Sequence, residues 1–195
     1  MLIDIGAQST HVAIYDGDAL LLAAALPVGG DHLTRDVSWL LKVNYEDAEA
    51  LKREYGSLND ASVSDHSLIE IPTAEGRGMR ETSRQELNDI LEARVEEILD
   101  RVYAEVLRVG MEKSLLEGAV LTGGGAMLPG MCDIAERILN CQARNGLAIG
   151  IEDWPPELDN PVWTTAAGLA MYSGRLRLKR EWKRAPAGLV GLVSK

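Results

Sequence analysis

The stretch Leu2-Ile3-Asp4-Ile5-Gly6-Ala7-Gln8-Ser9-Thr10 (residues 2–10) predicts a short apolar strand that runs into a glycine turn with two hydroxyl side chains. Gly6 allows the backbone to come close to a ligand. Successive N–H groups of a tight turn form an anion-binding nest, to which Ser9 and Thr10 add hydroxyl donors. Asp4, at the strand end, suits a Mg²⁺ ion held through water. The plain alternative is an ordinary hairpin with polar turn residues.

Two further strands and a helix are predicted after this turn. His11–Tyr15 alternates, with Val12 and Ile14 on one face and His11, Ala13 and Tyr15 on the other, and Asp16-Gly17-Asp18 is typical of a hairpin turn. Ala19–Leu26 contains only Ala and Leu, which predicts a strand buried on both faces. Gly29-Gly30 ends that strand, and Asp31 is expected to cap the helix that follows.

The next helix carries charges at a spacing that allows two interpretations. Asn44 with Asp47 predicts its start and Gly56 its end. Glu49, Lys52 and Arg53 lie within about one turn of each other. One interpretation is a solvated face with an i,i+4 ion pair between Glu49 and Arg53; the other is that these charges form a functional constellation together with Gly29-Gly30 earlier in the chain.

The second half contains a long helix and a glycine run. A strand is predicted at Ser67–Ile71, and Ser83 with Glu86 predicts a capping box. The apolar stripe behind it indicates a helix of about 40 Å. The run Thr122-Gly123-Gly124-Gly125-Ala126 follows a strand and precedes a helix with Pro129 in its first turn, which is typical of a ligand loop or simply of a turn. The stripe consists of Leu87, Leu91, Val95, Ile98, Val102, Val106 and Val109. A Pro-rich loop (150–162), a loop at Gly76-Arg77-Gly78 and a helix at 164–172 complete the prediction.

Composition and charge exclude several classes of protein. The chain has 195 residues, 46% hydrophobic, and a formal net charge of −10. Seven of the 20 basic side chains lie after Gly174 with one acid, so the rest of the chain carries 13 basic and 29 acidic groups, or −16. Such a body repels phosphates, so nucleic acid is not an expected partner.

Membrane spans and metal-ligand patterns are not evident in the sequence. No apolar run reaches the roughly 20 residues that a spanning helix needs. Cys132 and Cys141 suggest buried thiols, and the three histidines are scattered.

Taken in order, these segments resemble the second half of the actin and Hsp70-like ATPase fold, which is ribonuclease H-like, and most of all the FtsA family of cell division proteins. The similarity covers nearly the whole chain to about Arg175. It implies an α/β fold with a mixed sheet flanked by helices. The core would comprise residues 1–33 and 111–174, an inserted α+β subdomain 34–110, and a basic tail 175–195. The segments that carry the similarity are GGDHLTRDVSWLL (29–41), YEDAEALKREYG (45–56), SRQELNDILEARVEEIL (83–99) and VLTGGGAMLPGM (120–131).

By position, the resemblance implies an ATP site with Mg²⁺. The turn Asp4–Thr10 would be the second phosphate loop, with Asp4 facing Mg²⁺ through water, and Gly30 would lie near the ribose. Gln8 stands where many relatives have glycine, so its side chain is expected to affect the γ-phosphate. No catalytic residue is assigned. The implied nucleotide-binding residues are Asp4, Gly6, Ala7, Gln8, Ser9, Thr10, Gly30, Glu49, Lys52, Arg53, Gly123, Gly124, Gly125 and Ala126.

The resemblance also implies partners and a location. A family member would self-associate into filaments and link the tubulin-like protein FtsZ to the membrane at the division site, on the cytoplasmic face. Residues 34–110 would contact the FtsZ C-terminal peptide, and residues 175–195, a mixture of basic residues with Leu and Trp, would target the membrane. Because the family's first phosphate loop has no counterpart here, weak or no ATP hydrolysis by this chain alone is expected.

Three alternatives remain at this point. One is a pilus-assembly adaptor of the PilM type, which shares the fold. Another is half of a sugar or acetate kinase, whose catalytic acid would lie outside this sequence. The last is an interaction module whose glycine turns bind nothing.

Overall fold

The structure, a computed structural model, describes residues 1–58, 67–73, 78–111, 115 and 117–184, with residues 181–184 described by their backbone alone. It divides into two compact units, Met1–Gly146 and Leu147–Lys195. The predicted boundaries at 33/34, 110/111 and 174/175 stay predictions. Gly76 and Arg77 of the predicted loop lie outside the described residues.

The first unit contains seven strands and four helices among its described residues. The α/β class, with a mixed sheet flanked by helices, is confirmed. The strands are β1 (Leu2–Ile5), β2 (Thr10–Asp16), β3 (Ala19–Leu26), β4 (Leu68–Pro72), β5 (Met79–Ser83), β6 (Ala119–Thr122) and β7 (Ala143–Asn145). The helices are α1 (Gly30–Leu40), α2 (Tyr45–Tyr55), α3 (Arg84–Arg108) and α4 (Met131–Leu139).

Five strands form the main sheet in the order β3-β2-β1-β6-β7. The β1–β2 and β2–β3 pairs are antiparallel, whereas β6 runs parallel to β1 and to β7. Since β1 and β6 are parallel neighbours, their C-terminal ends lie side by side. Strands β4 and β5 form a separate antiparallel hairpin. Strand β5 was not predicted, because its sequence is mostly polar.

The core forms around the long helix α3, which packs against α1, α2 and α4. Its predicted stripe is buried from Leu87 to Val106, while Val109 caps the helix and is half-buried. A buried stripe of this kind, rather than helix propensity, stabilises such a helix. The apolar residues of β1, β2 and β6 complete the same cluster.

The prediction that β3 is buried on both faces is wrong. Only Leu22 in this strand is fully buried, while Leu20 and Leu21 are 53% and 46% exposed. Burial alternates along the strand: Leu22, Ala24 and Leu26 are buried or half-buried, whereas Leu21, Ala23 and Ala25 on the other face are exposed, so only one face of β3 is covered. An apolar run predicts a strand, but it does not predict which strand lies outside.

Two helix starts differ from the predictions. The N-cap of α1 is Gly29 rather than Asp31, and the His32 ring accepts a hydrogen bond from the Gly29 amide at 3.2 Å. Ser83 caps α3 by accepting from the Gln85 amide at 3.1 Å, but Glu86 accepts from the Thr82 hydroxyl at 2.7 Å instead of closing a capping box.

The chain after the glycine run also differs from the prediction. Gly124–Met127 form a 3₁₀ turn of their own, so α4 begins only at Met131, after Gly130. Pro129 therefore precedes the helix instead of lying in its first turn. The predicted start of α2 is confirmed, because the Asn44 side chain accepts from the Asp47 amide at 2.8 Å, and Gly56 ends the helix as expected.

The second unit contains one long helix. Two 3₁₀ turns, Pro156–Leu158 and Pro161–Trp163, precede α5 (Thr164–Arg184), which is longer than the helix predicted at 164–172. Within the described ranges, no helix is both long and apolar enough to cross a membrane. Cys132 lies on α4 and Cys141 just after it; both thiols are free and half-buried.

Candidate functional site

The turn between β1 and β2 is held from inside by its own carbonyl groups. The Gly6 amide donates to the Ser9 carbonyl at 2.9 Å and closes the turn. The carbonyls of Gly6 and Ala7 accept from the amides of Gly30 and Asp31, the first residues of α1, at 2.9 and 2.7 Å. These two carbonyls are therefore fixed toward the helix.

The opposite side of this turn presents amide donors. Ala7 and Gln8 are exposed, and no acceptor within the described ranges pairs with their backbone N–H groups. Adjacent free amides in a tight turn are the donor set that an anion requires. In contrast, the first two amides of α1 are used by the turn, so the start of that helix holds the turn in place and does not offer these donors to a ligand.

Glycine at position 29 makes this close packing possible. A Cβ atom there would lie 2.5 Å from the Gly6 carbonyl oxygen and 2.8 Å from that of Ala7. Both atoms belong to the backbone and cannot move away as the end of a flexible side chain does. Gly30, the predicted ribose-side residue, has a less crowded position, because a Cβ atom there would lie no closer than 3.6 Å to its nearest neighbour, the Gly6 carbonyl oxygen.

The two hydroxyl residues of the turn have different environments. Thr10 is fully buried, and its hydroxyl donates to the Val28 carbonyl at 2.8 Å. That hydroxyl stabilises the path from β3 into α1 and is not available to a ligand, contrary to the role predicted from the sequence. The Ser9 hydroxyl lies 3.1 Å from the His11 ring nitrogen at the surface and remains accessible.

The second glycine turn lies beside the first. Asp4 pairs with Thr122 across the parallel β1–β6 ladder, so residue 123 follows directly at the C-terminal ends of these two strands. Gly123 has φ +82°, and a Cβ atom there would overlap the Asp4 carboxylate and lie 2.6 Å from the Ile5 carbonyl oxygen. The Asp4 carboxylate thus lies against the start of the glycine run. Ala126, in contrast, is buried beneath the run.

A charged cluster ties α2 to the start of α1. The Lys52 ammonium lies 2.6 Å from the Glu49 carboxylate and donates to the Thr34 hydroxyl at 2.8 Å and the Gly30 carbonyl at 3.2 Å. The Thr34 hydroxyl also lies 2.5 Å from Glu49. The ion pair is therefore between Glu49 and Lys52, not between Glu49 and Arg53 as one interpretation of the sequence had it.

Exposure separates the members of this cluster. The Lys52 side chain is 14% exposed and the Glu49 side chain 35%, whereas Arg53 is exposed. Lys52 is consequently a bridge between helices, whereas Arg53 is exposed to solvent. Sequence patterns missed Thr34, because a Thr inside a helix gives no signal that it will meet a charged pair on the next helix.

Tyr45, the first residue of α2, is another neighbour that the sequence did not indicate. Partial burial raises the pKa of its phenol, and a hydrogen bond to Asp31 raises it further. Asp31 follows directly after Gly30, so Tyr45 lies beside the first turn of α1.

The structure thus gathers most of the predicted residues around the C-terminal ends of β1 and β6 and the start of α1. The arrangement offers amide donors, the carboxylates of Asp4 and Glu49, and the Lys52 ammonium, which is a set suited to binding. Over the part of the chain that the structure describes, no group of three or more His, Cys, Asp or Glu side chains could hold a metal ion. The gathered residues are Asp4, Gly6, Ala7, Gln8, Ser9, Gly30, Glu49, Lys52, Gly123, Gly124 and Gly125.

Two hollows occur elsewhere on the described surface. The larger, about 940 Å³, is lined by residues of and just after α1, including the 82% exposed Trp39. The smaller, about 450 Å³, lies between Leu40 and the first turns of α3. Neither hollow contains a residue of the glycine turns.

Comparison with known proteins identifies relatives over most of the chain. The family model of cell division protein FtsA matches residues 1–168. The chain is 33% identical over 171 residues to the cell division protein FtsA of Pseudomonas aeruginosa, covering 88% of this chain and 41% of that protein. It is 31% identical over 187 residues to the FtsA of Escherichia coli K12, covering 92% and 44%. The chain therefore spans less than half the length of these relatives.

Solved structures agree on the fold. MreB5 of Spiroplasma citri bound to ADP matches with a TM-score of 0.67 at 18% identity, over 92% of this chain and 54% of that one. The PilM–PilN type IV pilus biogenesis complex matches with a TM-score of 0.63 at 20% identity, over 88% and 44%. At such identities the likeness concerns the fold alone, so the PilM-type alternative gains no functional support from it.

Proposed function

Since the chain belongs to the FtsA family of cell division proteins, we propose that it forms one side of a binding site for ATP with Mg²⁺. The observation that carries the proposal is the pair of exposed amides at Ala7 and Gln8, whose carbonyl side is fixed onto α1. These donors suit a phosphate group.

The neighbouring residues fit the other parts of the ligand. Asp4, beside Gly123, would hold Mg²⁺ through water, since Mg²⁺ keeps several waters and accepts oxygen ligands. Gly30, Glu49 and Lys52 would face the ribose, and the run Gly123–Gly125 the adenosine. Mg²⁺ would neutralise phosphate charge; the chain's own residues bind and orient, and we propose no base for hydrolysis among them.

Titration of a fluorescent ATP analogue, with and without Mg²⁺, tests this proposal. Gln8→Pro removes one of the two amide donors and should weaken binding at least about tenfold, the loss of one charge-assisted hydrogen bond. Gln8→Ala keeps the amide and serves as the control, with an expected change below about twofold. Asp4→Asn should reduce the dependence on Mg²⁺. No binding by the unaltered chain, or equal binding by Gln8→Pro and Gln8→Ala, contradicts the proposal.

A contact with the C-terminal peptide of FtsZ is proposed for the outer helices. The larger hollow combines the exposed indole of Trp39 with the cations Arg35 and Lys42. The carboxylate that also lines it, Asp36, is paired with Arg94, so the hollow suits an extended peptide with apolar and acidic side chains. Fluorescence anisotropy of a labelled FtsZ peptide tests it. Trp39→Ala should abolish the signal change, while Tyr15→Ala, which removes an exposed aromatic side chain on β2 that does not line this hollow, should leave it intact.

Attachment to the membrane at the division site is proposed for the end of the chain. Helix α5 exposes Arg175, Arg177, Lys179 and Arg180 together with Leu178, and anionic lipid attracts basic residues. Residues 185–195 lie outside the described residues. The fraction of the chain that floats with anionic liposomes should decrease when these four cations are changed to Gln. An unchanged fraction would contradict this part of the proposal. Self-association into filaments is proposed from the family alone.

A further inference from the structure

The Lys52 ammonium uses all of its donors within the chain. An ammonium group has three N–H donors and no acceptor, and those of Lys52 meet the Glu49 carboxylate at 2.6 Å, the Thr34 hydroxyl at 2.8 Å and the Gly30 carbonyl at 3.2 Å. The side chain is 14% exposed, the lowest value among the ion-paired cations of the described residues. A ligand group could contact this ammonium directly only by displacing one of these partners.

The Gly30 carbonyl is the partner that leads to the glycine turn. This carbonyl belongs to the same peptide group as the Asp31 amide, which donates to the Ala7 carbonyl at 2.7 Å. The Ala7 carbonyl in turn belongs to the same peptide group as the Gln8 amide. Because the peptide bonds of the described residues are all trans, the N–H of each group points away from its C=O. The Lys52 ammonium and the exposed Gln8 amide are therefore the two ends of one hydrogen-bonded chain.

The neighbouring Ala7 amide ends a different chain of hydrogen bonds. Its peptide group contains the Gly6 carbonyl, which accepts from the Gly30 amide at 2.9 Å. The peptide group of that amide contains the Gly29 carbonyl, which accepts from the His32 amide at 3.0 Å. This second chain begins at a neutral backbone group, so only one of the two exposed amides has a cation at the far end of its chain.

We propose that Lys52 strengthens the Gln8 amide as a phosphate donor by polarising the two peptide groups between them. A cation at a carbonyl oxygen makes the N–H of the same peptide group more positive, and this polarisation passes along a chain of hydrogen bonds. The Thr34 hydroxyl, 3.2 Å from the Gly30 carbonyl, has one proton and a nearer acceptor in Glu49 at 2.5 Å. This role of Lys52 rests on the proposed phosphate site at the turn and makes Lys52 a positioning residue of that site.

Calorimetric titration with tripolyphosphate, which has no ribose, isolates this role. Lys52→Met should weaken binding at least about threefold, because the Gln8 amide loses the polarisation that a charged partner supplies. The matched control is Arg108→Met, which also removes one cation and leaves the carboxylate three residues earlier, Glu105, without its partner. This control should bind as the unaltered chain does. Equal binding by the two variants overturns the inference and leaves the phosphate site standing, whereas no binding by the unaltered chain contradicts the proposed function.

Amide chemical shifts of the chain without any ligand test the polarisation independently. Lys52→Met should move the amide proton and nitrogen resonances of Asp31 upfield, those of Gln8 upfield to a smaller extent, and those of Ala7 not at all. Lys52→Gln, which keeps a neutral donor group, should cause the same changes to a smaller extent. A displaced turn would shift Ala7 and Gln8 alike, so equal shifts at these two amides, or no shift at Gln8, overturn the inference even if the unaltered chain binds no phosphate.

Discussion

Strands β1 and β3 of the same sheet show that composition and location can disagree. β1 contains a carboxylate, Asp4, yet it lies at the centre of the sheet between β2 and β6, and its Ile3 and Ile5 are fully buried. β3 contains only Ala and Leu, yet it lies at the edge with one neighbour. Burial in a sheet therefore follows the number of neighbouring strands and helices, while composition only makes burial favourable.

The largest expected difference between the two strands is in core packing. Ile5→Ala should lower the free energy of unfolding by about 2–5 kcal/mol, because it removes buried methyl groups and leaves a cavity. Leu21→Ala, at the edge, should change it by less than about 0.5 kcal/mol. Urea denaturation, evaluated with a common slope, measures both values; similar losses for the two variants would break the comparison.

The turns next to the two strands should differ as well. Gly123 and Gly17 both have positive φ, +82° and +55°. Gly123→Ala should cost about 3 kcal/mol, since its Cβ would overlap Asp4 and approach the Ile5 backbone in addition to the strain. Gly17→Ala has nothing within 4 Å and should cost about 1 kcal/mol. Thermal unfolding of the two variants compares them directly; an equal shift would mean that the contact with Asp4 is absent.

A smaller effect should come from the hydroxyl that joins the start of β2 to the end of the β3 segment. Thr10→Val keeps the shape but leaves the Val28 carbonyl without its donor, at a cost of about 1–2 kcal/mol. The affinity for the ATP analogue should stay the same, because this hydroxyl does not face the site. Loss of affinity for the ATP analogue without loss of stability would show that the Thr10 hydroxyl contacts the ligand.

The smallest effect on stability is expected at the edge itself. Leu21→Lys should leave the free energy of unfolding within about 0.5 kcal/mol at a dilution where the chain is monomeric, since it replaces an exposed side chain with another that extends into water. A loss above about 1 kcal/mol would mean that the outer face of β3 is covered within one copy of the chain.

Several local features were predictable because they depend on neighbours along the chain. The glycine turn at 6–9, the Asn44 cap, the stop at Gly56 and the buried stripe of α3 follow from backbone freedom, short-range hydrogen bonds and periodicity. The order of the segments also predicted the fold and the family. The capping box at Ser83 failed because Thr82, one residue earlier, offered Glu86 a competing donor.

The candidate site was predictable as a set of segments but not as an arrangement. Nothing in the pattern around Lys52 showed that it would meet Thr34 and the Gly30 carbonyl rather than lie in water beside Arg53. Those contacts depend on how α1 and α2 pack, which is a long-range outcome.

By itself the sequence determined most of the helices, the strands other than β5 and β7, the two glycine turns and the family to which the chain belongs, because each depends on local spacing and segment order. Only the tertiary structure decided which amides of the first turn remain free, which hydroxyl is consumed by the backbone, and which apolar strand is left at the edge. These depend on the partners that distant segments supply, since a hydrogen bond or a buried face requires two elements to meet and the pattern of either one alone does not specify the other.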